Sequence, residues 1–151
     1  MDAPATGTGL IVRPVCEMDT AAIEAIDERL LGRYRPHHWE TRVRYYLSRD
    51  PEAALVAELD GEVVGFLFAD IRGWEFGLDE PTAWIEVVGV HPDQQHRGIG
   101  RRLAEQLLEH CRAQGVRYVR TMVHQDDHAI AGFMRSLGLE PAPWTAYARE
   151  L

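Results

Sequence analysis

The chain has no lysine and no asparagine, only two cysteines (Cys16 and Cys111) and only two serines (Ser48 and Ser136). Each scarcity excludes a class of chemistry. Neither serine lies in the G-x-S-x-G turn of a serine hydrolase. The cysteines form no C-x-x-C pair, so two small buried thiols are expected in place of a disulfide or a zinc site. Basic charge is also short. Sixteen basic residues, all arginine, stand against 24 acidic ones, and the net charge of −8 is opposite to that of most nucleic-acid-binding modules. No apolar run approaches the ~18 residues of a membrane span. The opening MDAPATGTG has neither the basic head nor the apolar stretch of a secretory signal. The sequence therefore predicts a cytoplasmic protein with no membrane or nucleic-acid partner. The missing lysines fit GC-rich coding, or a surface that offers no side-chain amine to an acyl donor.

What is present is enough for a folded domain. Hydrophobic residues make up 46% of 151 positions, and a chain of this length can bury roughly 68–70% of its unfolded surface. No disulfide, metal or partner is needed for folding. Residues 1–8 read as a flexible N-terminus and residues 9–151 as one domain.

Periodicity and turn signals give the element order β-α-α-β-β-β-α-β-α-β. Leu10-Ile11-Val12 reads as a strand ended by Pro14. Asp19 is placed to cap a helix with Ile23, Ile26 and Leu30 on one face, stopped by Gly32. A second helix covers Trp39 to Leu47. Ala53–Leu59 and Val63–Ile71 flank Asp60-Gly61, a hairpin signal. Thr82–Val90 is a fourth strand. A long amphipathic helix from Gly98 to about Gln114 carries Leu103, Leu107, Leu108 and Cys111 in one stripe. Tyr118–Val123 is a fifth strand, Asp126 or Asp127 caps a short helix to Leu137, and Trp144–Leu151 is predicted to be a last strand. Such an order gives an α/β or α+β fold, a mixed sheet with helices on its faces.

The start of the long helix breaks a local rule. Gln95-His96-Arg97-Gly98-Ile99-Gly100 places no Ser, Thr or Asp at the cap position, and Arg97, Arg101 and Arg102 crowd the positive end of the helix dipole. Free N–H groups, a positive dipole end, arginines, and glycines that let a ligand approach the backbone together describe an anion site suited to a phosphate or pyrophosphate. The P-loop pattern is absent, and so is the third glycine of the dinucleotide fingerprint.

QHRGIG matches the [QR]-x-x-G-x-[GA] acyl-CoA signature, and here the sequence resembles the GCN5-related N-acetyltransferases (GNAT). Trp84–Val90, then His91-Pro92, the signature and an amphipathic helix look like that family's central motif. Asp127 through Leu139, with Phe133 and Leu137-Gly138-Leu139, is similar to its later block. Ile11-Val12-Arg13-Pro14 resembles its opening, so the likeness runs from about residue 9 to 150.

The resemblance implies a mixed, mostly antiparallel sheet with splayed parallel central strands and helices on both faces. It implies an acetyl-CoA-dependent N-acetyltransferase that passes an acetyl group directly to a primary amine, with acetyl-CoA as co-substrate and no metal. Val88, Gly89 and Val90 would hold the pantetheine arm, and Gln95, His96, Arg97, Gly98, Ile99, Gly100 and Arg101 the pyrophosphate. Asp127 falls where the family has an asparagine. Glu86, the only ionisable residue between Trp84 and Val90, is the candidate general base; simple alternation puts it on the strand face of Trp84, Val88 and Val90, among apolar groups. Met134 stands where the family's tyrosine acid would be. That leaves three readings: another donor (Tyr147, Tyr118 or His124), departure of the thiolate unaided, or a catalytically silent acyl-CoA-binding or sensor domain. A longer acyl donor is a third functional reading. The acidic balance tilts the acceptor toward a cationic small molecule or a protein amine. Trp74 and Phe76 are candidates for the acceptor pocket, and a homodimer is implied, as for many family members. The spacing His124-x-x-x-His128 lacks a metalloprotease glutamate and spans a strand end, so no metal is expected.

Overall fold

A computed structural model describes residues 9–151; the predicted flexible segment 1–8 lies outside the described residues. Five strands form one sheet in the order β1 (Leu10–Pro14), β2 (Ala54–Leu59), β3 (Glu62–Arg72), β4 (Thr82–Val90) and β5 (Tyr118–Thr121). The first three pairings are antiparallel and the β4–β5 pairing is parallel. β2 and β3 are joined by the expected Asp60-Gly61 turn. The helices α1 (Thr20–Leu31), α2 (Pro36–Leu47), α3 (Ile99–Ala113) and α4 (His128–Ser136) cover the sheet on two sides.

Two apolar layers result. On one side Ile23 and Ile26 of α1 and Trp39, Val43 and Tyr46 of α2 pack on Ala54, Val56, Phe66 and Phe68. Trp39 lies edge-on to Phe66 at 5.1 Å between ring centroids. On the other side Ile99, Leu103, Leu107 and Cys111 of α3 and Met134 of α4 cover Leu55, Ala57, Leu67, Ala69 and Ile85. Of the stripe read from the sequence, Leu103, Leu107 and Cys111 are buried, each of the two leucines contributing about 1.5–3 kcal/mol, while Leu108 stays partly exposed. Among the described residues no helix is long and apolar enough to cross a membrane.

Three local expectations change. Of the two thiols expected to be buried, only Cys111 is; Cys16 is exposed beside the β1–α1 connection. Asp19 sits at the start of α1, but its carboxylate does not cap that helix. It turns back to accept bonds from the Arg13 guanidinium at 2.8 Å and the Cys16 N–H at 2.8 Å, tying the β1–α1 connection together. Trp144–Leu151 forms no strand within the chain; residues 140–151 are exposed. With that strand unformed, the parallel β4–β5 pair lies at the end of the sheet and not at its centre, and β5 is an edge.

Candidate active site

β4 is nine residues long and β5 only four, and β5 pairs with β4 from Thr82 to Ile85 alone. From Glu86 to Val90 the β5-side edge of β4 has no partner strand among the described residues, while Val87–Val90 remain paired to β3 on the other edge. The result is a notch bounded by a strand edge that no β5 residue pairs. Its apex coincides with a β-bulge. Phe68 pairs with Val87 and Ala69 with Ile85, so Glu86 is an extra residue with no partner on β3. A bulge adds local twist and re-aims the side chains around it.

The bulge corrects the strand face expected for Glu86. Ala83 and Ile85 belong to the α3-side layer before the bulge, and Val88 and Val90 belong to it afterwards. Val87 belongs to the α2-side layer. Glu86 also points to that side, because its Oε1 accepts a hydrogen bond from the Tyr46 hydroxyl on α2 at 3.1 Å. It is exposed on the open side of the sheet, not enclosed by Val88 and Val90.

Tyr46 has a second partner. Arg42, one helical turn earlier, donates to its hydroxyl oxygen at 3.1 Å and lies over the Trp39 ring at 5.2 Å. Burial, opposed by Arg42 and reinforced by Glu86, pushes the Tyr46 phenol up to about 12. It therefore keeps its proton at neutral pH. That single proton goes to Glu86 while a lone pair accepts from Arg42, so the direction Arg42 to Tyr46 to Glu86 is fixed. Sequence reasoning missed Arg42 and Tyr46. Their i, i+4 spacing was readable, but nothing in it announced a carboxylate forty residues further on.

At the end of β4, Gln95 Nε2 donates to the Val90 carbonyl at 3.1 Å, fastening the signature loop to the strand. His96 and Gly98 take left-handed conformations, with φ of 64° and 78°. Gly98 is the N-cap of α3 and supplies no side-chain cap; a Cβ there would meet nothing within 4 Å. The N–H groups of Ile99, Gly100 and Arg101 have no acceptor among the described residues. Ile99 is buried in the core and steers its side chain away from the loop, while Gly100 lies against the Phe133 ring. Arg97 is exposed. Arg101 is engaged elsewhere, with Glu105 at 3.0 Å and the Ser136 carbonyl at 3.2 Å. Asp127 caps α4, its Oδ1 accepting from the Ile130 N–H at 3.1 Å.

Met134 is buried in the α3-side core and has no proton to give. Of the substitute donors, Tyr118 starts β5 opposite Thr82, at the closed end of the notch. Tyr147 is exposed in the segment after α4. His124 follows β5 on the open side, its Nδ1 accepting from the Asp126 N–H at 3.2 Å. Phe76 packs on Trp84 at 5.7 Å and on Trp144 at 6.4 Å, making an aromatic ledge on the strand face that carries Glu86. Trp74 is exposed beside it. Among the described residues no group of three His, Cys, Asp or Glu side chains could hold a metal ion.

Comparison with known proteins places this geometry. The model of the acetyltransferase (GNAT) family matches residues 20–139. An acetyltransferase of Pectobacterium atrosepticum is 33% identical over 101 residues, covering 67% of each chain. A mycothiol acetyltransferase of Thermobispora bispora is 33% identical over 96 residues, 64% of this chain but 32% of that protein's length. Among solved structures, the aminoglycoside N-acetyltransferase AAC(6')-Iy in complex with CoA has a TM-score of 0.81 at 20% identity, covering 95% of this chain and 96% of that one. A transcriptional regulator from Bacillus halodurans has a TM-score of 0.79 at 19% identity, covering 94% and 99%. At these identities the structural likeness speaks to fold, and the fold is the one the sequence implied. The matched segment, the parallel pair that parts at Glu86 and the uncapped glycine at the head of α3 all lead to one assignment: the chain belongs to the acetyltransferase (GNAT) family.

Proposed function

We propose that the protein transfers an acetyl group from acetyl-CoA to a primary amine, with Glu86 as the base. The observation that carries this reading is the continuity of two features along one stretch of chain. An unpaired strand edge, Val88–Val90, leads through the Gln95 fastening to the free amides of Ile99, Gly100 and Arg101. The edge suits the amides of a pantetheine arm, and the helix start suits a pyrophosphate. Gln95, His96, Arg97 and Gly98 supply the loop between them. Arg101 serves through its backbone N–H, and Asp127 acts by fixing the start of α4 near Phe133 and Gly100.

Chemically, an alkylammonium has a pKa of about 10.4 and must lose a proton before it can attack. Glu86 takes that proton, directly or through a water. The amine nitrogen then forms a bond to the thioester carbon, the C–S bond breaks, the sulfur leaves as a thiolate, and the surplus proton on the nitrogen passes to that thiolate, directly or through water, so that a neutral amide and a thiol result. A thiolate is a good leaving group, so the burial of Met134 does not stop the reaction. The acceptor approaches on the Tyr46 and Trp84 side of the sheet. The aminoglycoside N-acetyltransferases of like fold and the negative charge of the chain support a cationic acceptor.

Thiol release from acetyl-CoA across a panel of amines and peptides tests this. Glu86→Gln is expected to lower turnover by about 10²–10⁴-fold near neutrality while leaving CoA affinity almost unchanged. Tight CoA binding with no turnover on any amine would favour the silent binding domain instead.

A further inference from the structure

We propose that Arg120, aided by Arg72, binds a carboxylate on the acceptor, so that the preferred acceptor is an amine carrying a carboxylate several ångströms from its reacting nitrogen. The inference deepens the proposed transfer and rests on Glu86 receiving the amine.

The register of the sheet puts these residues on one surface. Trp84 lies opposite Asp70 on β3 and Arg120 on β5, and Thr82 lies opposite Arg72 and Tyr118. The residues between them, Ile71, Ala83 and Val119, belong to the α3-side layer. Arg72, Thr82, Trp84 and Arg120 therefore face the other way, the side to which Glu86 also points. Side-chain contacts agree. Arg120 Nη1 donates to Thr82 Oγ1 at 2.6 Å, and the Arg72 guanidinium lies over the Trp84 ring at 5.8 Å. The floor beside the notch is thus polarised, with a carboxylate at the Glu86 end, two guanidiniums at the Thr82 end and an indole between them.

The guanidinium end is rich in donors and short of acceptors. Arg120 stacks on Tyr118 at 4.4 Å and bonds to Thr82, but it has no carboxylate partner among the described residues. Arg72 Nε is buried without a hydrogen-bond partner, since Glu75 Oε1 stands 3.6 Å away, and Trp84 Nε1 is buried without one as well. Buried donors are ordinarily paired. The other carboxylates at this end are taken. Asp70 accepts from Tyr45 and from Arg49 at 2.9 Å, and Glu80 accepts from Arg117 at 3.2 Å. A guanidinium with free N–H groups grips a carboxylate through parallel hydrogen bonds. Spacing sets the length of the acceptor. At ~3.3 Å per residue, Trp84 lies roughly 7 Å and Thr82 roughly 13 Å along β4 from Glu86, the bulge shortening both. An α-amino acid holds its two charges too close together for that span, whereas an amine separated from its carboxylate by several methylenes fits it. The ammonium remains the cation that Glu86 receives, and the negative charge lies at the far end.

The test is an NMR titration of the full chain, saturated with CoA, with ε-aminocaproate, glycine and pentylamine, the last being the first without its carboxylate. We expect ε-aminocaproate to bind at least tenfold more tightly than either of the others. Arg120→Gln keeps a donor for Thr82 Oγ1 and removes the charge; it should erase most of that advantage over pentylamine, and Arg72→Gln should erase part of it. Three results would overturn the proposal. One is equal affinity for ε-aminocaproate and pentylamine in the parent. Another is no binding of ε-aminocaproate at all. The third is an advantage that Arg120→Gln leaves whole. If circular dichroism shows that Arg120→Gln does not fold, the parent's dependence on length decides, and glycine binding as tightly as ε-aminocaproate refutes the assignment. Binding is read here without turnover. An advantage that persists in a chain acetylating no amine therefore counts against Glu86 as the base and leaves the carboxylate site standing.

Discussion

Replacing Gly89 by alanine should damage the fold at the notch, by an amount that the packing sets. A Cβ built at Gly89 lies 2.6 Å from Phe66 Cζ, 2.9 Å from Phe66 Cε1 and 3.2 Å from Leu30 Cδ1. Distances under 3.0 Å require movement, and the Phe66 ring has little freedom. It is buried between Trp39, with centroids at 5.1 Å, and Phe68, at 5.5 Å. Either the ring shifts into its neighbours or β4 moves away from α1. Overpacking of this kind costs about 1–3 kcal/mol, which for a chain of this size lowers Tm by roughly 2–4 °C per kcal/mol. Urea and thermal unfolding measure the loss. Two controls isolate the cause. Gly73→Ala meets nothing within 4 Å and should stay within about 0.5 kcal/mol of the parent. Phe66→Leu placed with Gly89→Ala should recover part of the loss, so that the two changes together cost less than their sum. If Gly89→Ala leaves stability within error of the parent, the contact between β4 and the aromatic layer does not hold the notch in place.

Further outcomes concern the helix start, the tyrosine relay and the β1–α1 junction. Gly98→Glu puts a carboxylate beside the free amides and into a left-handed position that costs an L-residue about 1–2 kcal/mol; CoA affinity by calorimetry should disappear while circular dichroism shows the fold intact. Tyr46→Phe removes the proton donated to Glu86 and should lower kcat by about tenfold, the worth of one modest hydrogen bond of ~1.4 kcal/mol, with KM for acetyl-CoA unchanged. A matching rise in that KM would argue against a positioning role. Asp19→Asn gives a pH signature. Burial raises the Asp19 carboxyl, but the hydrogen bonds and charge of Arg13 and the Cys16 N–H outweigh it and hold its pKa below the usual carboxylate value. The charged form thus stabilises the fold fully above the unfolded pKa of about 3.9, and that stabilisation is lost as pH falls through the lower folded value. The variant should be about 1.5–3 kcal/mol less stable at pH 7, and the difference should shrink as pH falls below 4; a constant difference across that range would contradict the ion pair.

Much of the fold was legible because local rules and burial agreed. β4 begins and ends where its sequence pattern does, and Leu103, Leu107 and Cys111 of the α3 stripe are buried. Two expectations failed where a competing bond, or the lack of a pairing edge, decided the outcome. Asp19 could have capped α1, but Arg13 and the Cys16 amide offered it better bonds. Trp144–Leu151 has the composition of a strand, yet a strand exists only where it pairs with an edge, and among the described residues it pairs with none.

The candidate site divides along the same line. Amides left free at a helix start follow from the absence of a capping side chain, so Gly98 and its neighbours could be read from the order of residues alone. Glu86 could be named in the same way, as the one ionisable group in its strand. Its direction could not, because alternation along a strand assumes an unbroken ladder. The bulge opposite Phe68 and Ala69 breaks that ladder and turns the carboxylate toward Tyr46. Residue types and short spacings thus settled which groups are available. The pairing of β3 with β4 and the packing of α2, both long-range contacts, settled where those groups point and which of them meet.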